Sequence, residues 1–217
     1  MAAVFPDAER SELLRLVGAL KTVIRHAVTL RADAATLHGL ANRAESLAAA
    51  LGPLSGTRPF PPYSTDPTYL PFSAVMGPYN PVAPDVAIRI EADEARAASG
   101  VQHAKRAVAE VRFSNVYEGP PTYVHGGWIA AMYDQVLAFA NRANGFGGLT
   151  ASISCRYKKP TPLETPLRFE AWVEKIEEPK IFTRAECRVG TELLTEAEGI
   201  FVRVDAERAR RLFGKKG

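Results

Sequence analysis

Six strand-like runs, with one long and almost wholly apolar helix between the second and the third, predict an α+β fold: an antiparallel sheet wrapped around a central helix. Short turn-type connections between the last three runs make antiparallel neighbours the natural pairing. A separate helical pattern before the first strand adds an N-terminal helical hairpin.

The 217 residues suffice for one substantial core and an accessory segment. Hydrophobic residues make up 47% and charged residues 24%, the balance of an ordinary globular protein. A net charge of +3 and a pI near 8.9 reflect a slight excess of Lys and Arg rather than a nucleic-acid-binding block. Part of that excess sits in a basic tail, residues 207–217, where Arg208, Arg210, Arg211, Lys215 and Lys216 read more readily as a solvated helix end than as a phosphate site. Cys155 and Cys187 fall inside strand-like runs without metal-ligand spacing, so the expectation is reduced packing residues and no metal site. The N-terminus has no signal-like pattern, and no run approaches the ~20 apolar residues that span a bilayer. The expected compartment is therefore the cytoplasm, with neither membrane nor nucleic acid as a partner.

In chain order, residues 1–52 form the helical extension: Leu13, Leu14, Leu16, Val17, Leu20, Val23, Ile24 and Val28 recur at three- and four-residue spacing, and an Ala/Leu series follows from Ala34 to Leu51. Its role, as lid, oligomer contact or simple cover, is left open. Residues 53–84 are crowded with prolines, which fix φ and remove a donor, so an extended linker is expected. The main domain then spans 85–206. Val86–Ile90 and Ala107–Phe113 alternate like strands, and four further runs cover Leu149–Lys158, Leu167–Ile176, Ile181–Val189 and Leu193–Val204. Gly145-Phe146-Gly147-Gly148 lacks a following Lys-Ser/Thr and reads as a turn rather than a phosphate loop.

Between these runs lies the central helix. From Trp128 to Ala140 only Asp134 and Gln135 are polar, which marks a helix buried on nearly all sides, and a sheet curled around such a helix is the hotdog arrangement. A carboxylate there needs a partner, a shifted pKa or a cleft, so Asp134 is either catalytic or a hydrogen-bonded group at a subunit boundary. The helix begins His125-Gly126-Gly127, and the two glycines leave backbone N–H groups unobstructed at the positive end of the helix dipole, suited to a developing oxyanion. His125 and Asp134 are nine positions apart, about 13.5 Å along a helix at roughly 1.5 Å per residue and half a turn out of phase. They cannot grip one carbonyl together. If both serve one reaction, the helix end and the carboxylate come from different subunits of a dimer with two equivalent sites.

The order and spacing of Gly77-Pro78-Tyr79-Asn80-Pro81, Tyr117-Glu118-Gly119-Pro120-Pro121, His125-Gly126-Gly127, Asp134, Thr150 and Tyr157-Lys158-Lys159-Pro160 resemble the PaaI-like acyl-CoA thioesterases of the hotdog superfamily. The resemblance runs from about Ala74 to about Asp205 and leaves out the N-terminal helices. It implies hydrolysis of acyl-CoA without a cofactor. Asp134 is then the nucleophile or general base, Thr150 positions the water or the carboxylate, the N–H of Gly126 with that of Gly127 binds the thioester oxygen, and His125 orients or polarises the carbonyl. It also implies a homodimer, with pairing of two dimers left open. One departure stands out: many relatives carry an Asn or Gln six residues before the His, where this chain has Gly119, so Glu118 and Asn115 become secondary candidates.

Coenzyme A carries phosphates, which favours basic groups at a cleft mouth, and Arg156, Lys158 and Lys159 are the candidates, with a solvated strand end as the plainer reading. Trp128, Met132 and Phe139 could line an acyl tunnel but read more readily as core. Two other functions share this pattern: a hotdog hydratase or dehydratase, for which His125 would have to move the proton, and a non-catalytic acyl-CoA-binding module.

Overall fold

The computed structural model describes residues 5–56 and 70–203. The chain divides into two units, Met1–Thr65 and Asp66–Gly217. In the first, α1 (Asp7–Val28) and α2 (Ala34–Leu51) form where the apolar spacing places them. Asp33 caps α2, its carboxylate accepting the Thr36 amide hydrogen at 2.7 Å. The helices of the expected hairpin are present but share little side-to-side packing. Val17 is buried on α1 and nothing is buried on α2, so Leu14, Leu37, Leu40 and Leu47 of the apolar stripes stay exposed.

The second unit holds β1 (Val86–Ala92), α3 (Glu94–Ala98), β2 (Lys105–Val111), α4 (Gly126–Ala143), β3 (Leu149–Tyr157), β4 (Leu167–Glu177), β5 (Lys180–Val189) and β6 (Glu192–Val202). The six strands form one sheet in the order β1-β2-β4-β5-β6-β3, each neighbour antiparallel. This is the expected hotdog arrangement. The helix α3 has no counterpart in the sequence reading, because five residues are too few to show a period; Asp93 caps it through the Arg96 amide at 3.1 Å.

α4 lies on one face of the sheet, where Tyr133, Val136, Leu137 and Phe139 meet Phe169, Val173, Ile181 and Phe201 in a single core. Fully burying a side chain of this kind is worth roughly 1.5–3 kcal/mol, which fixes the face that α4 turns to the sheet. Met132 and Phe139 belong to this core, and Trp128 packs edge-on against Tyr117 with ring centroids 4.9 Å apart. Two polar rungs cross the apolar layer: Tyr133 Oη with Thr195 Oγ1 at 2.6 Å, and Thr183 Oγ1 donating to Asn141 Oδ1 at 2.6 Å. The Cys155 and Cys187 thiols are unpaired, and burial pushes that of Cys187 up to about 12.

Two expectations change. α4 is not enclosed on nearly all sides: the sheet covers one side, and Gly127, Ala130, Ala131, Asp134 and Ala138 form a partly open stripe on the other. Residues 70–84 are a series of turns packed on the sheet unit rather than an extended linker, with Pro71, Met76 and Ala83 buried and the Tyr117 hydroxyl donating to the Val82 carbonyl at 3.0 Å. Residues 57–69 of the proline-rich stretch and the basic tail, 207–217, lie outside the described residues.

Candidate active site

The loop leading into α4 is tightly determined. The His125 amide donates to the Tyr117 carbonyl at 2.8 Å and the Gly119 amide to the Tyr123 carbonyl at 2.9 Å. Thr122 adopts a left-handed φ of 71°, and its amide donates to Glu118 Oε1 at 2.7 Å. A Cβ on Gly119 would lie 2.7 Å from the Cα of His125, closer than any side chain can sit. The missing amide six residues before His125 therefore has a steric reason: in this loop no side chain fits. Of the secondary candidates, Glu118 holds the loop and Asn115 opens the 3-10 turn Asn115–Tyr117.

His125 is the N-cap of α4, and its Nδ1 accepts the Gly127 amide hydrogen at 2.9 Å. That bond assigns the ring proton of the neutral imidazole to Nε2. The Gly127 N–H is thus engaged within the chain. The Gly126 N–H has no partner among the described residues and is the open donor of the His-Gly-Gly run.

Asp134 sits two and a half turns into α4, half-buried on its open stripe. Thr150 Oγ1 donates to its Oδ1 at 2.8 Å, and Gln135 Nε2 donates to its Oδ2 at 3.2 Å. The strand geometry that brings Thr150 there is irregular. Ile153 and Cys155 of β3 pack toward the core, and Tyr157 reaches α4, so strict alternation would place Ala151, not Thr150, on the helix side. A register shift between Thr150 and Ser152 against β6 inserts the extra residue that turns Thr150 toward Asp134.

At the other end of β3, Tyr157 Oη donates to the Gly126 carbonyl at 2.9 Å, a contact with no signal in the sequence because it joins a side chain to a backbone oxygen in a distant element. Within one chain β3 therefore links two separate places, Asp134 with Thr150 and Gly126 with Tyr157. Eight residues of α4 separate His125 from Asp134.

The basic candidates are ion-paired with β6. Lys158 lies 2.7 Å and Arg156 3.6 Å from Glu196, and Lys159 pairs with Glu192. Hydrogen bonding and charge from Lys158, with Arg156 beside it, hold the Glu196 carboxyl below its ordinary range. Lys159 also borders a cavity of about 260 Å³ lined by Tyr123, Pro160, Pro162, Val189, Glu192 and Leu194, which includes neither Asp134 nor Gly126.

Residues 122–195, from the loop before α4 into β6, match the family model described as Thioesterase superfamily. Over that stretch the sheet-and-helix domain of this chain is similar to that superfamily. Among curated proteins it is similar to the acyl-coenzyme A thioesterase THEM4 of Xenopus laevis, 37% identical over 89 residues that cover 40% of each chain. It is also similar to the acyl-coenzyme A thioesterase THEM5 of Homo sapiens, 28% identical over 105 residues covering 48% of this chain and 42% of that protein. The matched region spans less than half the length of these relatives. A crystal structure of a thioesterase superfamily protein superposes with a TM-score of 0.76 at 27% identity, covering 88% of this chain and 94% of that one.

Proposed function

We propose that this chain hydrolyses acyl-CoA thioesters to the free acid and CoA, at sites shared between two copies of the chain. The observation that carries this reading is the 2.8 Å hydrogen bond from Thr150 to Asp134 on the open stripe of α4. It orients a carboxylate at a place that substrate can reach. The thioester oxygen accepts the Gly126 N–H at the positive end of α4, where charge developing on that oxygen is stabilised. Asp134 takes a proton from water as hydroxide adds to the carbonyl carbon, or adds to that carbon itself to give an anhydride that water then opens. In either route the C–S bond breaks, and the departing thiolate ends as the CoA thiol. His125 orients the carbonyl from the helix end. The names of the THEM4 and THEM5 relatives support acyl-CoA as the substrate class.

Arg156, Lys158 and Lys159 are proposed to meet the CoA phosphates. Their pairs with Glu196 and Glu192 are surface pairs of small net worth, so a phosphate can take them over. The two-copy site is suggested by the separation along α4 and by β3, a largely exposed edge strand that pairs with β6 on one side and has no strand on the other among the described residues. Two β3 edges pairing antiparallel about a two-fold axis, with Thr150 opposite Tyr157 of the partner subunit, would set Asp134 beside Gly126 of the partner subunit. The two unpaired thiols are compatible with the cytoplasm as the compartment. A hydratase reading would use His125 as proton carrier, and the bond from the Gly127 amide to its Nδ1 weighs against that.

The test is thiol release from a panel of acyl- and aryl-CoAs by wild type and Asp134→Ala. Turnover by wild type and its loss in Asp134→Ala is the expected result. Undiminished turnover in Asp134→Ala would overturn the mechanism, and binding without turnover in wild type would favour the non-catalytic module.

A further inference from the structure

We infer that Tyr157 is a positioning residue for the carbonyl-binding end of α4, an inference that rests on the hydrolase reading above. The peptide unit joining Gly126 and Gly127 is gripped from both sides. Its carbonyl accepts the Tyr157 hydroxyl at 2.9 Å, and its N–H donates to His125 Nδ1 at 2.9 Å. The need for such a grip is local. Two consecutive glycines begin this helix, and glycine leaves φ and ψ far less restricted than any other residue. The Gly126 N–H, the open donor on which the proposed oxyanion site depends, belongs to the preceding His125–Gly126 peptide unit and shares the Gly126 Cα with the gripped one, so holding the one limits how far the other can tilt. His125 alone holds only the amide side of the gripped unit.

Glycine is also what admits the grip. A Cβ on Gly127 would stand 3.0 Å from His125 Nδ1, tight enough to press on the ring. At Gly126 the Tyr157 ring lies 3.5 Å from the position of a Cβ, in van der Waals contact, so it covers one side of the helix start as well as bonding to it. Tyr157 is the last residue of β3, and Thr150, which orients Asp134, lies at that strand's beginning. One edge strand thus carries a positioning group for each half of the proposed site, and antiparallel pairing of two such strands brings the two halves together.

The test compares the full chain as wild type, as Tyr157→Phe, and with Tyr157 replaced by 4-aminophenylalanine, which restores a donor at nearly the same reach. The measurements are kcat and KM for an acyl-CoA that wild type hydrolyses, the thermal midpoint, and the Gly127 amide nitrogen shift by NMR. Loss of alignment in Tyr157→Phe should lower kcat about tenfold. KM should stay within about twofold, since the lost interaction is not one that binds substrate. The thermal midpoint should change little, the Gly127 shift should move, and 4-aminophenylalanine should recover most of kcat. Unchanged kcat in Tyr157→Phe, a rise in KM alone, or failure of the amino variant to rescue would overturn the inference. A wild type that releases no thiol from any acyl-CoA would instead overturn the hydrolase reading and this inference with it.

Discussion

Thr150 donates to Asp134 Oδ1 at 2.8 Å only because β3 is bulged between Thr150 and Ser152. The hydroxyl is expected to hold the carboxylate in one orientation. Thr150→Ala should therefore lower kcat by about 10- to 100-fold, while Thr150→Ser should keep most activity. Steady-state thiol release checks both, with circular dichroism to show that the fold persists.

Gly119 has a different kind of importance, since a side chain there would collide with the backbone of His125. Gly119→Ala should cost about 1–3 kcal/mol by overpacking the loop. Activity should fall with it, because the helix cap moves. Urea unfolding of wild type and variant measures the first effect, and kcat the second.

The rung between Tyr133 and Thr195 lies in a fully buried layer. Thr195→Val should cost about 1–3 kcal/mol, because the Tyr133 hydroxyl is left buried without its partner. The double variant Tyr133→Phe with Thr195→Val should be closer to wild type than Thr195→Val alone, since both polar groups are then gone. Chemical denaturation of the three variants decides this.

Asp93 supplies a pH-dependent part of the stability. Burial works against its charge, but hydrogen bonds from the Arg106 side chain and the Arg96 amide outweigh it and hold its carboxyl below the usual range. A folded-state value below the unfolded one gives stability that is fully present above the ordinary carboxylate pKa of about 3.9 and is lost as pH falls through the folded value. Asp93→Asn should thus be less stable than wild type at neutral pH by about 1–3 kcal/mol, the scale of a hydrogen bond to a charged group. The gap should narrow on acidification, and urea midpoints at neutral and strongly acidic pH test it.

The legible parts of this protein are those written in local period. Alternation placed all six strands, and a run of apolar residues placed α4 with Asp134 as its conspicuous acid. Where the outcome depends on register or on a backbone oxygen in another element, the sequence is silent. Thr150 faces Asp134 through a bulge that alternation argues against, and no pattern predicts that Tyr157 bonds to the Gly126 carbonyl. The pairing of Arg156 and Lys158 with Glu196 depends on β3 lying beside β6, two strands far apart in the chain. Residues 70–84 look like a linker by proline content, yet their few apolar side chains, Met76 above all, find room in the core.

The central claim is that Asp134 of one subunit works with the Gly126 N–H of the other, and complementation tests it most directly. Gly126→Pro removes that N–H at the first helical position, where proline is well tolerated, and His125 already has the extended φ of −61° and ψ of 131° that suit a residue before proline. Asp134→Ala removes the carboxylate. Each variant alone should be inactive. Mixed and reassembled at equal amounts, half of the dimers are mixed and each has one intact site, so about one quarter of wild-type activity should return. Inactivity of verified mixed dimers would contradict a shared site and place both groups in the service of one chain.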